Sequence, residues 1–320
     1  MRRISGLILA GLGAFLAALA VILPEYIASQ VVRFPLNEYE TATLTATGAA
    51  YLSPVKLTEV TGASIEVTDS ITGVPGAGDS SIAVWSVYSS VYDRTNHQQL
   101  EPSSYTFAFY RRTAELVNCC DESVNGNSSI IQSGIAGYVF PIGTQKRTYY
   151  VFDATLGQPV PFAYKGADTV DGIQAYRFAE NVSAARLRLS TLPTAEPEFY
   201  SMHLTYWVDP ATGALLKISE NEDLYLANAA TGAPVTHVFD AALRTTPATV
   251  AHLVAQDAGT RHKIMIVQTI LPLAFGIAGG LAIIAGIVLS FLAREPRQDA
   301  GHALPVEDVP RDAAEVAPDR

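Results

Sequence analysis

The stretch from Tyr206 to Leu216 reads YWVDPATGALL, and its centre, DPATG, stands between two segments that alternate apolar and polar residues, HLTYWV and ALLKIS. Asp209 can accept backbone hydrogen bonds at the first turn position, Pro210 fixes φ at the second, and Gly213 tolerates a positive φ. These residue types in this order predict a hairpin between two antiparallel strands. The stretch marks the fold, and it raises the question whether Asp209 is also a catalytic or metal-binding carboxylate.

Two similar phrases elsewhere in the chain favour the turn interpretation. DATLG, from Asp153 to Gly157, follows the strand-like segment RTYYVF, and ATGAP, from Ala230 to Pro234, joins LYLANA to VTHVF. The third phrase lacks the carboxylate, so a shared catalytic role does not explain the pattern. We interpret four residues as turn markers and expect no catalytic residue among them: Asp153, Gly157, Asp209 and Gly213.

Period-two alternation dominates the region between Glu25 and Arg261. Segments rich in β-branched and aromatic residues, such as IAVWSVYSSVY and SYTFAFY, recur there, and Gly, Pro, Asn and Asp separate them. Many short strands with hairpin-like spacing are typical of a large antiparallel or mixed sheet. The sequence therefore predicts a mainly β exported domain, either a mixed barrel or a sandwich, with two flanking transmembrane α-helices.

The flanking helices are predicted from two long apolar runs, Ile4 to Leu23 and Ile264 to Ala293. About twenty residues of helix span ~30 Å, the thickness of one bilayer core. The first run is also compatible with a cleaved signal peptide, with Ala18-Leu19-Ala20 as the cleavage site. We expect an anchor, an exported domain, a second transmembrane helix and a disordered cytoplasmic tail, in this order: residues 1–24, 25–261, 262–293 and 294–320.

Charges and small residues suggest how the two spans are arranged. Arg2 and Arg3 precede the first run, which places the N-terminus in the cytoplasm, and a second span returns the C-terminus there. The main domain is then extracytoplasmic. Small residues at a period of four let helices approach closely, so we expect the second helix to pack on the first through Gly276, Gly280 and Gly286.

Composition excludes several classes of function. The 320 residues include 16% charged side chains and carry a net charge of −10, so the basic footprint of a nucleic-acid-binding protein is missing. None of the six histidines has metal-ligand spacing, and no nucleophile elbow or phosphate-binding loop is present. We therefore expect no enzymatic activity, no metal and no cofactor.

Cys119 and Cys120 are the only cysteines, and they form either a vicinal disulfide or two thiols.

Two stretches carry a family resemblance: RTYYVFDATLGQPVPFAYKGADTVDGIQAYRF, from Arg147 to Phe178, and YWVDPATGALLKISE, from Tyr206 to Glu220. Together with a span at each end, they resemble the actinobacterial family labelled PorA-family porins, which has LmcA-like members of unknown function. The resemblance implies a cell-envelope protein whose exported domain is a mixed β-barrel with an apolar cavity for a phospholipid. It implies no catalytic residues.

Two functional hypotheses follow. The first is a membrane-tethered module that binds or presents a membrane lipid or a lipid-linked glycan precursor in cell-envelope assembly of the lipoglycan type. The second is a structural or sensory envelope protein whose exported domain binds a protein partner. A porin or an envelope enzyme is less favoured, because a porin crosses the membrane as a closed barrel without apolar helices. The candidate lining of an apolar ligand site is aromatic: Trp85, Tyr105, Phe107, Phe109, Tyr150, Phe152 and Trp207.

Overall fold

The structure is a computed structural model that describes residues 2–27, 32–100, 102–187 and 196–292. The predicted tail at 294–320 lies outside the described residues. The chain divides into two compact units, one made of Met1–Leu19 with Phe275–Arg320 and the other of Ala20–Ala274.

The larger unit is built on strands. The described residues contain the following: β1 Tyr39–Leu52, β2 Glu59–Gly73, β3 Ile82–Asp93, β4 Gln98–Gln99, β5 Ser103–Tyr110, β6 Leu116–Val117, β7 Ser123–Val124, β8 Tyr149–Asp153, β9 Gln158–Val170, β10 Ile173–Arg186, β11 Glu198–Val208, β12 Leu215–Ala227 and β13 Pro234–Thr245. The mainly β prediction is confirmed.

The strands form one curled half-barrel in the order β6-β5-β3-β2-β1-β13-β12-β11-β10-β9-β8. Consecutive strands are mostly neighbours, as hairpin connections require, and β4 and β7 add short pairings to β3 and β5. The pairing of β1 with β13 joins the two halves of the meander, with Leu44 opposite Thr245. Because these strands are antiparallel, the chain enters β1 and leaves β13 at the same end of the sheet.

The concave face of the half-barrel holds the main hydrophobic core. Alternate residues of β1, β2, β3, β5, β10 and β11 point to it, and they pack in one continuous cluster. Residues 125–148, which we call the inner segment, run between β7 and β8 and add buried side chains to this cluster. Phe140 of the inner segment stacks on Phe178 of β10, with 5.0 Å between ring centroids. A single sheet thus buries its apolar face against its own connecting segment.

Helices occur at both ends of the described chain. α1 covers Arg2–Ile22 and is followed by a π-helical turn, Leu23–Ile27, while α2 covers Pro247–Met265. Thr246 caps α2, because its hydroxyl accepts from the backbone N–H of Thr249, and Pro247 occupies the first helical turn, where its missing N–H costs no hydrogen bond.

A second π-helical turn, Ile266–Ile270, joins α2 to α3, which covers Leu271–Leu292. Pro272 explains the turn, since it has no N–H to donate to the carbonyl four residues earlier and its ring displaces that carbonyl. Two helical stretches are long and apolar enough to cross a membrane, Ile4–Tyr26 and Pro247–Leu292.

In the smaller unit, α1 and α3 pack through glycines. A side chain at Gly279 would overlap Gly13 of α1, and one at Gly286 would overlap Gly6. Positions seven apart lie on one face of a helix, which produces this contact stripe. The expected Gly276 and Gly280 are not part of it: Gly276 is exposed and Gly280 has no neighbour within 4 Å. They are rotated away from the stripe because each residue turns the helix by about 100°.

The three predicted hairpin turns share one geometry. In each, the N–H of a glycine donates to the carbonyl four residues earlier: Gly157 to Asp153, Gly213 to Asp209 and Gly232 to Asn228. The three glycines have φ of 65°, 80° and 70°, in the left-handed region where a Cβ is strained. The Asp or Asn side chain accepts a further backbone N–H within its own turn.

Matched alanine substitutions in two of these turns separate backbone strain from packing. Gly232→Ala adds a Cβ in open space and should destabilise the fold by about 1 kcal/mol, the strain of a left-handed alanine. Gly213→Ala adds the same strain and also overlaps the Phe140 carbonyl oxygen, so it should cost about 3 kcal/mol or more. Chemical denaturation of both variants measures the difference. Equal losses would contradict the proximity of the inner segment to this turn.

The helix contact is tested in the same way. Gly279→Ile should lower the melting temperature of the full chain in detergent, because the side chain drives α1 and α3 apart. Gly280→Ile is the control and should leave the melting temperature unchanged, since nothing lies within 4 Å of that position. If the two variants behaved alike, the assignment of the contact stripe would be wrong.

Candidate functional site

Five of the seven candidate lining aromatics lie together on the concave face. Trp85, Phe107 and Phe109 are 3%, 0% and 0% exposed, and the rings of Trp85 and Phe109 meet edge to face at 4.9 Å. Tyr105 stacks on Phe152 at 5.8 Å. The inner segment covers this group, since Tyr138 stacks on Phe107 at 5.9 Å. These residues are packed core and do not line open space.

The other two candidates are on different surfaces. Tyr150 is 60% exposed, because its neighbours Tyr149 and Val151 occupy the inward positions of β8. Trp207 lies on the convex face, since the inward positions of β11 are the even ones, such as Tyr206 and Val208. Side chains alternate between the two faces of a strand, and Tyr150 and Trp207 lie at outward positions. The expectation that they line the same interior as the other five residues is therefore wrong.

An incompletely filled part of the concave face lies over β10, β12 and β13. Val182, Leu187, Leu224 and Phe239 point to the interior but are only half-buried. Leu224 and Phe239 are direct partners in the β12–β13 pairing. They lie toward the end of the sheet away from α2, which starts just after β13. Apolar side chains inside a half-barrel that still contact solvent form a surface on which a ligand can be held.

Four carboxyl groups share this interior. Glu180 of β10, Leu204 of β11 and Glu220 of β12 are in register, and Glu222 is the next inward residue on β12. Asp69 of β2 is close enough to raise the pKa of Glu220 by repulsion. Sequence analysis missed the cluster, because the acids are far apart along the chain and only the strand register brings them together.

Glu180 is the most deeply buried member. It is 4% exposed, and its Oε2 atom has no hydrogen-bond partner among the described residues. Burial raises its pKa to about 8, and repulsion from Asp153 and Glu220 adds to the effect. The side chain is therefore mainly protonated at neutral pH, when it can donate a hydrogen bond.

Glu220 and Glu222 form a hydrogen-bonded pair. Burial, followed by repulsion from Asp69, raises the pKa of Glu220 to about 7. Burial raises the pKa of Glu222 well above its usual range, and the charge of Glu220 raises it further. One proton shared between two carboxyl groups explains the hydrogen bond. In the part of the chain that the structure describes, no arginine or lysine forms an ion pair with Glu180, Glu220, Glu222 or Asp69.

Tyrosine hydroxyls complete the polar lining. Burial raises the pKa of Tyr138 and of Tyr206 well above the usual value, and nearby carboxylates contribute further. The hydroxyl of Tyr105 has no partner within the described ranges. These groups stay neutral and act as donors and acceptors. The described residues hold no group of three or more His, Cys, Asp or Glu arranged for a metal ion.

Asp209 proves to be more than a turn residue. Its Oδ1 accepts from the N–H of Ala211 at 2.7 Å, as a turn aspartate does, but the side chain is 0% exposed. Its Oδ2 pairs with Nη1 of Arg261 in α2 at 2.6 Å. Beside it, Thr212 donates to Asp257 of α2 at 2.5 Å. Asp209 thus ties the β11–β12 turn to the helix, a contact across 52 residues that the local pattern does not reveal.

The remaining singled-out residues are also structural. Asp153 accepts from the N–H of Leu156 in the β8–β9 turn, where Gly157 has a positive φ. Cys119 and Cys120 are joined by a disulfide in the loop between β6 and β7, away from the acidic interior. Asp153 acts on the site only through its charge, which repels Glu180, Glu220 and Glu222.

Because the pKa of Glu180 is raised, replacing this residue with the neutral glutamine should stabilise the folded protein by an amount that depends on pH. The folded state holds this proton more tightly than the unfolded chain does, so stability falls as the pH rises from about 4.5 to about 8. The loss is about 1.4 kcal/mol per pH unit for one fully coupled group. Glu180→Gln should therefore stabilise the protein at pH 8 and have little effect at pH 5. Thermal unfolding at both pH values, with the exposed Asp121→Asn as control, tests this. A gain equal at both pH values would contradict a buried, protonated Glu180.

Comparison with known proteins supplies one match. The sequence matches the family described as Porin PorA over residues 5–288, which includes most of both apolar helices and the whole half-barrel. No curated protein matches the chain. Coverage of nearly the whole chain, together with two apolar helices of membrane-spanning length, identifies a membrane-associated envelope protein. The chain belongs to the PorA porin family.

Proposed function

We propose that this protein is a membrane-tethered module that binds an amphiphile, either a membrane lipid or a lipid-linked glycan precursor, in its concave interior during envelope assembly. One observation carries the proposal. Half-buried apolar side chains, among them Val182 of β10, lie near the buried carboxyl group of Glu180, whose Oε2 atom has no hydrogen-bond partner among the described residues. A ligand with an apolar chain and a hydrogen-bonding end would satisfy both.

The apolar part of the interior supports a hydrocarbon chain. Covering exposed aliphatic surface yields roughly 25 cal/mol per Å². Leu224 of β12 and Phe239 of β13 are direct cross-strand partners, and Val182 of β10 lies on the same face on the other side of β11; together they form the apolar wall. An acyl or prenyl chain packed against this wall would shield the wall from water, and the sheet would not have to close into a full barrel.

The polar part of the interior restricts the other end of the ligand. Glu180 and the Glu220–Glu222 pair hold protons near neutral pH and can donate hydrogen bonds. Any of them that ionises repels a bare phosphate at short range. The lining therefore favours hydroxyl or ammonium groups at this position, and a phosphate would have to lie outside it.

The proposed topology is extracytoplasmic for the half-barrel and cytoplasmic for both termini, and it rests on Arg2 and Arg3 before the first span. The convex face supports exposure to water. On β1 it presents Thr41, Thr43 and Thr45 between inward-facing apolar residues. A pore is disfavoured because aromatic residues of the inner segment fill the concave face.

The protein-partner hypothesis is the second candidate, and one observation favours it. The β1–β2 turn exposes two apolar side chains, Val55 at 81% and Leu57 at 75%. Both lie at the end of the sheet away from α2, where a partner in the envelope could contact them. This surface can operate together with the lipid site.

Native mass spectrometry of the full chain purified in mild detergent tests lipid binding. The natural chain should retain a stoichiometric lipid after detergent exchange. Leu224→Arg places a charge on the apolar wall and should abolish the retained mass. His203→Arg is the matched control on the exposed convex face of β11 and should keep it.

The same experiment can contradict the proposal in two ways. A natural chain without retained lipid would exclude a tight lipid ligand. Equal lipid retention by Leu224→Arg and His203→Arg would assign the lipid to the membrane helices and not to the interior. In either case the protein-partner hypothesis would become the better account.

A further inference from the structure

A separate cleft lies on the convex face, outside the interior described above. It has a volume of about 300 Å³ and forms where the β9–β10 hairpin, β11, β12 and the first turn of α2 meet. This volume is at the lower limit of ordinary ligand sites and is sufficient for a molecule of one or two sugar rings. The side chains that can contact a ligand there are Asp168, Thr169, Asp171, Trp207 and Lys217.

Trp207 is the apolar wall of the cleft and is held in a fixed orientation. Its Nε1 donates to Oδ2 of Asp168 at 3.0 Å. The Nζ atom of Lys217 lies 4.7 Å from the ring centroid. Behind the ring, Val170 and Val250 belong to a small core cluster that supports it. A large indole anchored on an outer sheet face, half-buried and with its N–H already satisfied, presents a preorganised aromatic surface.

The polar groups around the ring are of mixed type. Asp168 and Asp171 are exposed and offer carboxylate acceptors, Thr169 offers a hydroxyl, and Lys217 offers an ammonium donor. The hydrogen bond from Trp207 is the main cause that lowers the pKa of Asp168, so this carboxylate remains an acceptor at neutral pH. The charges of Arg177 and Lys217, which both act on Asp168, balance the two carboxylates, so the cleft has no excess positive charge to select a phosphate or carboxylate ligand.

We propose that this cleft binds a neutral saccharide. Sugar hydroxyls need donors and acceptors close together, which Lys217, Thr169 and the two aspartates supply. The C–H face of a pyranose ring carries slight positive charge and packs against the negative face of an indole, here in place of the Lys217 ammonium that lies over the ring. The proposal does not depend on what the concave interior holds, because the two sites lie on opposite faces of the sheet.

Intrinsic fluorescence makes the site directly observable. The chain has two tryptophans, and Trp85 is 3% exposed in the core. Trp85→Phe therefore leaves Trp207 as the sole indole reporter. Full-length Trp85→Phe in detergent should show a saturable change in emission when titrated with neutral hexoses and their disaccharides. We expect dissociation constants on the order of 1 mM, typical of a small ligand with few contacts.

Two variants assign the response to the cleft. Asp168→Asn in the same background should weaken binding about tenfold, because it removes the carboxylate charge that strengthens the hydrogen bonds accepted from sugar hydroxyls and from Nε1 of Trp207. Asp240→Asn is the matched control, an exposed aspartate of the convex face on β13 outside the cleft, and it should bind like the parent. Saturation-transfer NMR of the natural chain with the same sugars provides a readout if Trp85→Phe does not fold.

Three results would overturn the proposal. The first is the absence of a saturable response to any neutral sugar in both measurements. The second is equal binding by Asp168→Asn and Asp240→Asn. The third is tighter binding of glucose 6-phosphate than of glucose, which would make the cleft an anion site.

Discussion

The antiparallel pairing of β1 with β13 is the constraint on which the rest of the structure depends. It makes the first and last strands neighbours, so one sheet can curl around a single core and the chain enters and leaves at one end. α2 starts at that end, directly after β13, and packs there through Val250 and Leu253. The ion pair between buried Asp209 and partly exposed Arg261 then fixes the helix to the β11–β12 turn. Removing Arg261 would leave the Asp209 carboxylate buried without its cationic partner.

The concave interior combines two kinds of packing. On the side of β3 and β5 the inner segment fills the half-barrel with stacked rings, and nothing remains for a ligand. Over the ends of β10, β12 and β13 that lie away from α2 the core is incompletely filled, and nearby carboxyl groups with raised pKa values have no ion-pair partners among the described residues. Buried acids of this kind weaken the fold. Retaining several of them on one surface is consistent with a binding role, since unsatisfied polar groups cluster at functional sites.

Local sequence patterns predicted part of this structure correctly. The mainly β fold, the flanking apolar helices and the family follow from alternation, apolar length and short phrases, all of which act within a few residues. The cap at Thr246 is also a local device. Residues 125–148 could not be placed, because no periodicity marks a segment that packs by irregular contacts. The acidic cluster, the Asp209–Arg261 pair and the contact at Gly279 depend on register or helix rotation, which the sequence of one strand or helix leaves undetermined.

The most direct test of the central claim is photo-crosslinking of the full chain in its native membrane with a photoreactive lipid, followed by peptide mapping. We predict labelled peptides from the concave face around Leu224 and Phe239, in addition to peptides from the membrane helices. Excess non-photoreactive lipid should suppress the labelling at the concave face. Labels confined to the helices, with none on β12 or β13, would contradict a lipid site in the half-barrel.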